Sequence, residues 1–319
     1  MTQHHVTVLG GTGFVGHSVV RRLAEHGHVV RVISRRRERH RDLLVLPGVD
    51  VVQGDPRDVA LLAREFEKSD TVVNLVGILN ERGHRGKGFA DAHVHHVAHV
   101  VEACKKSGVK RLLHMCALGA SEWAPSHYLR TKARGEYLAL HSGIPGFHAT
   151  SFRSSVIFGP HDSFINRFAG LLKLSPWVFA LACADSRFQP VYVEDVAAAI
   201  VTSMDDRYTY GQVYELCGPR TYQLHELVSY IAAQLGLNTR IIKLNKQLSW
   251  LQAMALEFVP GKPFSLDNYK SLQVDSVCSR GFPKDFGITP ATLESVVPTY
   301  LGPSVSDSYS GFRHWARRS

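Results

Sequence analysis

The stretch Val6-Thr7-Val8-Leu9-Gly10-Gly11-Thr12-Gly13-Phe14-Val15-Gly16 stands at the beginning of the chain and decides how the rest is interpreted. Its first four residues are apolar or β-branched and predict a buried strand, whereas the residues from Phe14 onward predict a helix. The glycines therefore form the turn between a strand and a helix. This order is the one in which a helix N-terminus binds the pyrophosphate of a dinucleotide.

Each glycine of this turn has a separate expected role. Gly10 permits the tight turn, Gly13 lets the backbone approach the phosphates, and Gly16 lets the helix pack closely on the strand. Free amides at the start of the helix then receive the negative charge. The predicted cofactor-binding residues of the turn are Gly10, Gly11, Thr12, Gly13, Phe14, Val15 and Gly16.

Strand-like and helix-like periods continue to alternate after this turn. Short apolar runs bounded by helical stretches are typical of parallel strands that are buried on both faces. The fold class predicted is therefore α/β, a doubly wound parallel sheet of the Rossmann type with a smaller C-terminal α/β cap domain. The predicted strands after the first are 29–33, 51–52, 71–76, 111–115 and 147–152.

The pattern loosens after Gly159-Pro160, where prolines interrupt shorter elements. We expect a dinucleotide-binding domain over residues 1–160, with 188–204 returning to it. Residues 161–187 and 205–319 then form the cap domain. Within the returning segment, Val191 to Met204 is expected to add a strand and a helix to the main sheet.

The end of the second strand, Ser34-Arg35, predicts which dinucleotide is bound. An acidic residue normally stands there to accept a hydrogen bond from a ribose 2′-hydroxyl, and none is present. Arg35 can instead form a forked, charge-assisted pair with a 2′-phosphate, and Ser34 can donate a hydroxyl hydrogen bond. The cofactor predicted is NADP(H), with NAD(H) less favoured.

Two later segments complete the predicted nucleotide site. Asp55 closes the third strand, where its carboxylate can accept from an adenine amino group or cap the following helix. Leu75-Val76-Gly77 stands at the end of the fourth predicted strand and is predicted to bind the cofactor.

Composition excludes several classes of protein. The net charge of +9 gathers in Arg35 to Arg41 and in the tail Arg313 to Arg318, without interleaved aromatics, which disfavours nucleic acid as a partner. No apolar run reaches the length of a membrane span, and no export signal precedes Val6. The five scattered cysteines indicate a reducing compartment without disulfides.

The glycine turn, the helix sequence Tyr128-Leu-Arg-Thr-Lys132 and the turn Phe158-Gly-Pro160 together resemble the extended short-chain dehydrogenase/reductase superfamily. The segments 114–120, 188–196 and 260–268 are similar to its atypical branch, which contains the nucleotide-binding accessory subunit of respiratory complex I and its bacterial relatives. That resemblance implies a largely structural nucleotide. It also implies a cytoplasmic protein that associates peripherally with the inner face of a membrane through a respiratory, quinone-linked complex.

Tyr128 and Lys132 are four residues apart and so project from one helix face. There an ammonium can lower the pKa of the phenol and hold a ribose hydroxyl, which suits proton transfer beside hydride transfer. The family's upstream serine is replaced by Cys116, a poor donor, and Ser154 stands where the family usually has a proline against the nicotinamide. Two hypotheses remain: a retired site that only holds nucleotide, and an active NADP-dependent oxidoreductase or nucleotide-sugar epimerase/dehydratase.

Three further features have alternative interpretations. Cys116 is a candidate nucleophile if Lys132 lowers its pKa. The histidines at 93, 95, 96 and 99 are predicted to lie on a solvated helix surface beside a buried stripe of Val94, Val97 and Val101, and no metal is expected. The apolar segment Leu244 to Val259 is expected to pack within the cap domain, the alternative being a docking surface for a partner or membrane.

Overall fold

A computed structural model describes residues 3–259 and 262–302. The basic tail Arg313 to Arg318 and the first two residues of the segment 260–268 lie outside the described residues. Within the described ranges, no helix has both the length and the apolar content that a bilayer crossing requires.

The secondary structure alternates between strands and helices along the chain. The strands are β1 His5–Leu9, β2 Val29–Ser34, β3 Val49–Gln53, β4 Thr71–Asn74, β5 Arg111–Ala117, β6 His148–Ser154, β7 Ile157–Phe158, β8 Val178–Leu181, β9 Arg187–Phe188, β10 Val191–Tyr192, β11 Val213–Leu216, β12 Tyr222–Gln223 and β13 Arg240–Lys243. The α-helices are α1 Phe14–Glu25, α2 Arg41–Leu44, α3 Val59–Phe66, α4 Lys87–Ala90, α5 His96–Ser107, α6 His127–Leu140, α7 Ile165–Leu174, α8 Val193–Thr202, α9 Leu224–Gln234, α10 Lys246–Leu256, α11 Leu266–Ser271, α12 Leu293–Val296 and α13 Pro298–Leu301.

Seven parallel strands form the main sheet in the order β11-β6-β5-β4-β1-β2-β3. All seven residues of β5 are buried, as expected for a central strand covered by helices on both faces. The predicted doubly wound α/β class is confirmed.

The strand order reverses at β1, which pairs with β2 on one side and β4 on the other. Leu9 at the end of β1 is therefore opposite Ile33 and Asn74. In such a sheet the connections that leave β1 and β4 are expected to run to opposite faces, which leaves a crevice at the carboxyl edge. Such a switch point is where open α/β sheets bind ligands.

The main sheet belongs to the first of two compact units, which comprises residues 3–154, 193–216 and 283–288. Apolar side chains from the sheet, α3 and α5 make one core, in which Leu62 and Phe66 are fully buried. Helix α8 packs against α1, and Ser18 Oγ donates to Glu194 Oε1 at 2.7 Å.

The second unit comprises residues 155–192, 217–259, 262–282 and 289–302. Its strands form three two-stranded sheets, β7 with β10, β8 with β13 and β9 with β12. Helices α7 and α9 pack together over a separate core that includes Leu172, Leu227 and Ile231.

The strand that returns to the main sheet differs from the expectation. Val191 begins β10, which pairs with β7 in the second unit, and β11 takes the edge position beside β6 instead. Only α8 of the expected segment joins the first unit. Both β10 and β11 are short, so periodicity alone does not show which of them pairs with the edge of the main sheet.

The expected absence of disulfides is wrong, because Cys217 and Cys278 are bonded. They are 61 residues apart in sequence. The buried amide of Gln189 accepts from Cys278 N at 3.0 Å and donates to Gly218 O at 2.7 Å. Tertiary contacts inside the second unit therefore bring the pair together, which residue spacing does not reveal.

Candidate dinucleotide site

The glycine turn after β1 is held by close backbone contacts. Gly10 has φ +78°, and Gly13 N donates to Gly10 O at 2.9 Å. A Cβ on Gly16 would lie 2.2 Å from Gly10 O, and a Cβ on Gly10 would lie 3.0 Å from the carbonyl carbon of Leu75. The turn is therefore packed against both its own helix and the chain that leaves β4.

The N-terminus of α1 is open at this turn. Gly13 is its N-cap and is exposed, no side chain caps the helix, and its first turn contains no acidic residue. Phe14 and Val15 begin the helix, and Thr12 is half-buried beside Gly13. A helix start without a capping side chain keeps its amide donors available to an anion.

Cations stand at the end of β2, next to this turn. Ser34 is buried, and its hydroxyl accepts from Arg36 N at 3.3 Å. The side chains of Arg35 and Arg36 are exposed and form no ion pair with any residue in the described ranges, whereas Arg37 Nε donates to Val51 O at 2.7 Å. Two guanidinium groups therefore remain available to a phosphate.

Asp55 lies past the end of β3 and is held by Arg57. Its carboxylate accepts from the backbone amide and the guanidinium of Arg57, which lowers its pKa to about 2. The expectation that it caps the next helix is wrong, since Asp58 caps α3 by accepting from Ala60 N and Leu61 N. Asp55 is therefore ionised at neutral pH, and both of its oxygens can accept hydrogen bonds.

Leu75, Val76 and Gly77 continue from β4 along the crevice. Leu75 N donates to Leu9 O at 2.9 Å, which extends the pairing of β1 and β4 by one residue. A Cβ on Gly77 would lie 3.1 Å from Lys132 Nζ. This backbone therefore connects the glycine turn with the helix that contains Tyr128 and Lys132.

Tyr128 and Lys132 share one face of α6, as predicted, but they do not form an activated pair. Lys132 Nζ donates to Met115 O at 3.0 Å, and burial lowers the pKa of the ammonium. The pKa of Tyr128 is raised, by burial first and then by the nearby Cys116. The expectation that Lys132 lowers the phenol pKa is wrong here, because desolvation outweighs any attraction from the ammonium.

Cys116 is buried beside this pair, with its Sγ 3.7 Å from Lys132 O. Burial raises the pKa of the thiol to about 12, more than Lys132 lowers it. The thiol stays protonated at neutral pH, which argues against the nucleophile hypothesis. Ser154 is half-buried at the end of β6, and its carbonyl accepts from Leu118 N at 3.0 Å.

Two of the four histidines predicted on a solvated helix surface, His93 and His96, are buried instead. His93 accepts from Ile78 N at 3.1 Å through Nε2, and its Nδ1 lies 3.0 Å from Thr131 Oγ1. Burial lowers its pKa to about 2. The ring thus ties the chain after β4 to α6, and it lies edge-on to Tyr128 at 5.5 Å.

His96 and His114 flank Asn74 on β4. His96 Nε2 lies 3.2 Å from Asn74 Oδ1, and Asn74 Nδ2 lies 3.3 Å from His114 Nδ1. Burial lowers the pKa of His96 to about 4 and that of His114 to about 3. Positions 93, 96, 97, 100 and 104 repeat at helical spacing and are the buried stripe, and this spacing is the signal that identifies the two helix histidines as buried.

The structure also contains a grouping of possible metal ligands. His17, His40 and Asp42 place one ligand atom each within 4.8 Å of one another, and His17 Nδ1 lies 3.1 Å from Asp42 Oδ2. His17 and Asp42 therefore already form an ion pair when the histidine is protonated.

The reversed sheet, the uncapped helix beyond the glycine turn and the Tyr128–Lys132 face define a dinucleotide-binding protein of the short-chain dehydrogenase/reductase class. The model of the NAD dependent epimerase/dehydratase family matches residues 6–217, and the chain belongs to that family.

The proteins to which this chain is similar are named for different functions. Subunit 9 of the alpha subcomplex of mitochondrial NADH dehydrogenase (ubiquinone) from Arabidopsis thaliana is 32% identical over 92% of this chain and 76% of its own length. A ceramide reductase from Caulobacter vibrioides is 30% identical over 75% of this chain and 73% of its own length. The Bordetella bronchiseptica enzyme WbmH, solved with NAD+, superposes with a TM-score of 0.70 at 19% identity, covering 97% of this chain and all of that one.

Proposed function

We propose that this protein binds NADPH as a largely structural nucleotide and associates with a quinone-linked respiratory complex at a membrane. The observation that carries the proposal is the state of the Tyr128–Lys132 pair. Its ammonium is bonded to Met115 O, its phenol has a raised pKa, and Cys116 replaces the hydroxyl donor. Such a site keeps the residues that hold a nucleotide but lacks an acid poised near neutral pH.

The residues around the crevice fit an NADPH molecule. The uncapped start of α1 suits its pyrophosphate, and the unpaired Arg35 and Arg36 suit a 2′-phosphate. Leu75 to Gly77 and Lys132 suit the nicotinamide half. When bound, NADPH is a hydride donor, and this chain's own residues position it. The complex I subunit relatives support the membrane association.

A second candidate is an active NADP-dependent oxidoreductase or nucleotide-sugar epimerase/dehydratase. It is supported by Tyr128 and Lys132, which stay on one helix face, and by the relative named as a ceramide reductase. In this alternative Tyr128 donates a proton to a substrate oxygen and Lys132 holds the ribose. An ammonium has three N–H donors, so Lys132 can bond a ribose hydroxyl while it still donates to Met115 O.

The test starts with protein purified without added nucleotide. Nucleotide released on acid-free denaturation is identified by chromatography, and we expect NADP(H). Emptied protein should gain about 2.7 kcal/mol of unfolding free energy at a hundredfold excess of NADPH over Kd, a melting shift of a few degrees. Turnover is then assayed with carbonyl, quinone and nucleotide-sugar substrates. NAD(H) alone in the released fraction contradicts the cofactor, and turnover that depends on Tyr128 contradicts the structural role.

Association with a complex is tested in membranes of the host. Native electrophoresis of gently solubilised membranes should place this protein in the band that oxidises NADH and reduces quinone. Migration only as a free chain contradicts the association and leaves the nucleotide assignment intact.

A further inference from the structure

The loop between Gly77 and α4 is built around an inward-turned carboxylate. Glu81 is buried, with Oε1 accepting from Gly86 N at 2.6 Å and Oε2 from Gly88 N at 2.8 Å. Gly86 has φ +77°, and a Cβ there would lie 2.5 Å from His127 Nδ1. The loop is therefore fixed against the start of α6, directly before Tyr128.

The cations of this loop point outward without partners. Arg82, Arg85 and Lys87 are exposed, and none of them forms an ion pair with a residue in the ranges 3–259 and 262–302. The carboxylate nearest in sequence is that of Glu81, and it accepts hydrogen bonds from backbone amides instead. Three free cations within six residues give this loop a strong local excess of positive charge.

An exposed tryptophan lies on the neighbouring loop. Trp123 is 92% exposed, and Leu79, at the start of the basic loop, is 56% exposed. Arg130 joins the two loops, since Nη1 donates to Ala124 O at 2.8 Å and Nη2 lies 3.2 Å from His127 Nδ1, against which Gly86 packs. Both loops therefore meet at His127, beside Tyr128.

We propose that this basic rim, formed by Arg82, Arg85, Lys87 and Trp123, docks the protein on an anionic lipid bilayer. Tryptophan favours the headgroup region, and lysine and arginine are attracted to anionic headgroups, so one aromatic beside three unpaired cations suits that surface. The acidic side chains of a protein partner could also pair with these cations. They would not account for a tryptophan that is 92% exposed. The rim is the surface through which the proposed membrane association would take place. This inference rests on the proposed function only in taking a membrane to be present.

Vesicle flotation of the full-length protein tests the rim. Vesicles of phosphatidylcholine alone are compared with vesicles that also contain phosphatidylglycerol, at low and high salt. We expect binding only to the anionic vesicles, with loss at high salt. Each cation removed should weaken binding about fivefold, so R82Q/R85Q/K87Q should lose on the order of a hundredfold. Trp123→Ala should lose about tenfold.

Matched variants separate the rim from general charge and aromatic content. K105Q/K106Q/K110Q removes three exposed cations elsewhere in the first unit, and Trp177→Ala removes a tryptophan that is 82% exposed in the second. Both should bind vesicles like the unaltered protein. Equal loss in the rim and control triple variants overturns the proposal, as does equal binding to neutral vesicles. If the rim binds inorganic phosphate but the protein does not bind anionic vesicles, the proposal is also overturned.

The outcome is independent of the nucleotide. Rim variants should keep the NADPH-dependent melting shift, because none of the four residues belongs to the proposed nucleotide site, and this shift also shows that they fold. Vesicle binding without any NADPH shift would contradict the proposed function alone, and the reverse result would contradict the rim alone.

Discussion

At the carboxyl edge of the sheet, the side chains suited to anion binding differ from those that could transfer a proton. Arg35 and Arg36 are exposed and unpaired next to the glycine turn, which suits recognition of an anion. Lys132 is buried and bonded to backbone, and Tyr128 is half-buried with a raised pKa that keeps the phenol protonated. At this scale the exposed arginines suit a charged ligand, whereas a raised pKa makes the phenol a weak proton donor near neutral pH.

Arg35→Ala should reduce NADPH affinity about tenfold while leaving NADH affinity nearly unchanged, because one charge-assisted pair with the 2′-phosphate is worth about 1.5 kcal/mol. Calorimetric titration of both nucleotides measures this. Arg134→Ala, an exposed arginine on α6, is the control and should change neither affinity. Equal affinity of the unaltered protein for NADPH and NADH would refute the assignment of Arg35.

Tyr128→Phe should lower nucleotide affinity by at most one hydrogen bond, about 1 kcal/mol, and should abolish no activity. Tyr137→Phe, on the same helix but 59% exposed, is the matched control. Binding by calorimetry and turnover over the substrate panel are the measurements. If turnover is found and only Tyr128→Phe removes it, the site is catalytic.

Elements are positioned mainly by close approaches of backbone. The glycine turn holds α1 against β1, and the chain after β4 packs on the same turn. The helical region of α5 is preceded by a π-helical turn, Asp91–His95, which places His93 against both the chain after β4 and α6. Irregular helical turns of this kind are frequent at functional sites.

Gly16→Ala should remove NADPH binding and lower stability, since its methyl group would lie 2.2 Å from Gly10 O and displace either the turn or the helix. A loss of roughly 1 to 3 kcal/mol in unfolding free energy is expected. Gly170→Ala on α7 is the control, because open space surrounds that position and alanine favours helix. Denaturant unfolding with and without NADPH provides both readouts. An unchanged NADPH shift in Gly16→Ala would show that the turn does not bind the nucleotide.

At the scale of the whole molecule, burial lowers the pKa of several interior histidines. His93, His96 and His114 have native pKa values of about 2, 4 and 3, whereas an unfolded histidine has a pKa near 6.5. Below about pH 6.5 the unfolded chain therefore binds protons that the native chain does not. The free energy of unfolding falls as the pH falls through this window, and it is restored above it.

Denaturant unfolding between pH 7.5 and pH 5 should show this loss, up to about 1.4 kcal/mol per pH unit for each buried histidine. His96→Asn should reduce the slope, although it lowers stability at neutral pH. His95→Asn replaces an exposed neighbour and should leave the slope unchanged. A stability independent of pH over this range would mean that the three rings are accessible to protons in the native state.

The amino-acid sequence by itself determined the fold class and the family, and it predicts the place of the nucleotide site. These follow from local order: a strand, a glycine turn and a helix at residues 6–16, repeated strand and helix periods, and the four-residue spacing of Tyr128 and Lys132. The basic end of β2 was likewise predictable, because it depends on one strand and the residues that follow it.

Only the tertiary structure decided which side chains are desolvated and which distant segments meet. Burial reversed the expected effect of Lys132 on Tyr128, kept Cys116 protonated and placed His93 and His96 inside the molecule. Contacts across the chain paired Cys217 with Cys278 and gave the sheet edge to β11 rather than β10. A pKa depends on the dielectric and charges that the whole fold assembles around a group, and a pairing depends on which edge is free, so neither is contained in local sequence.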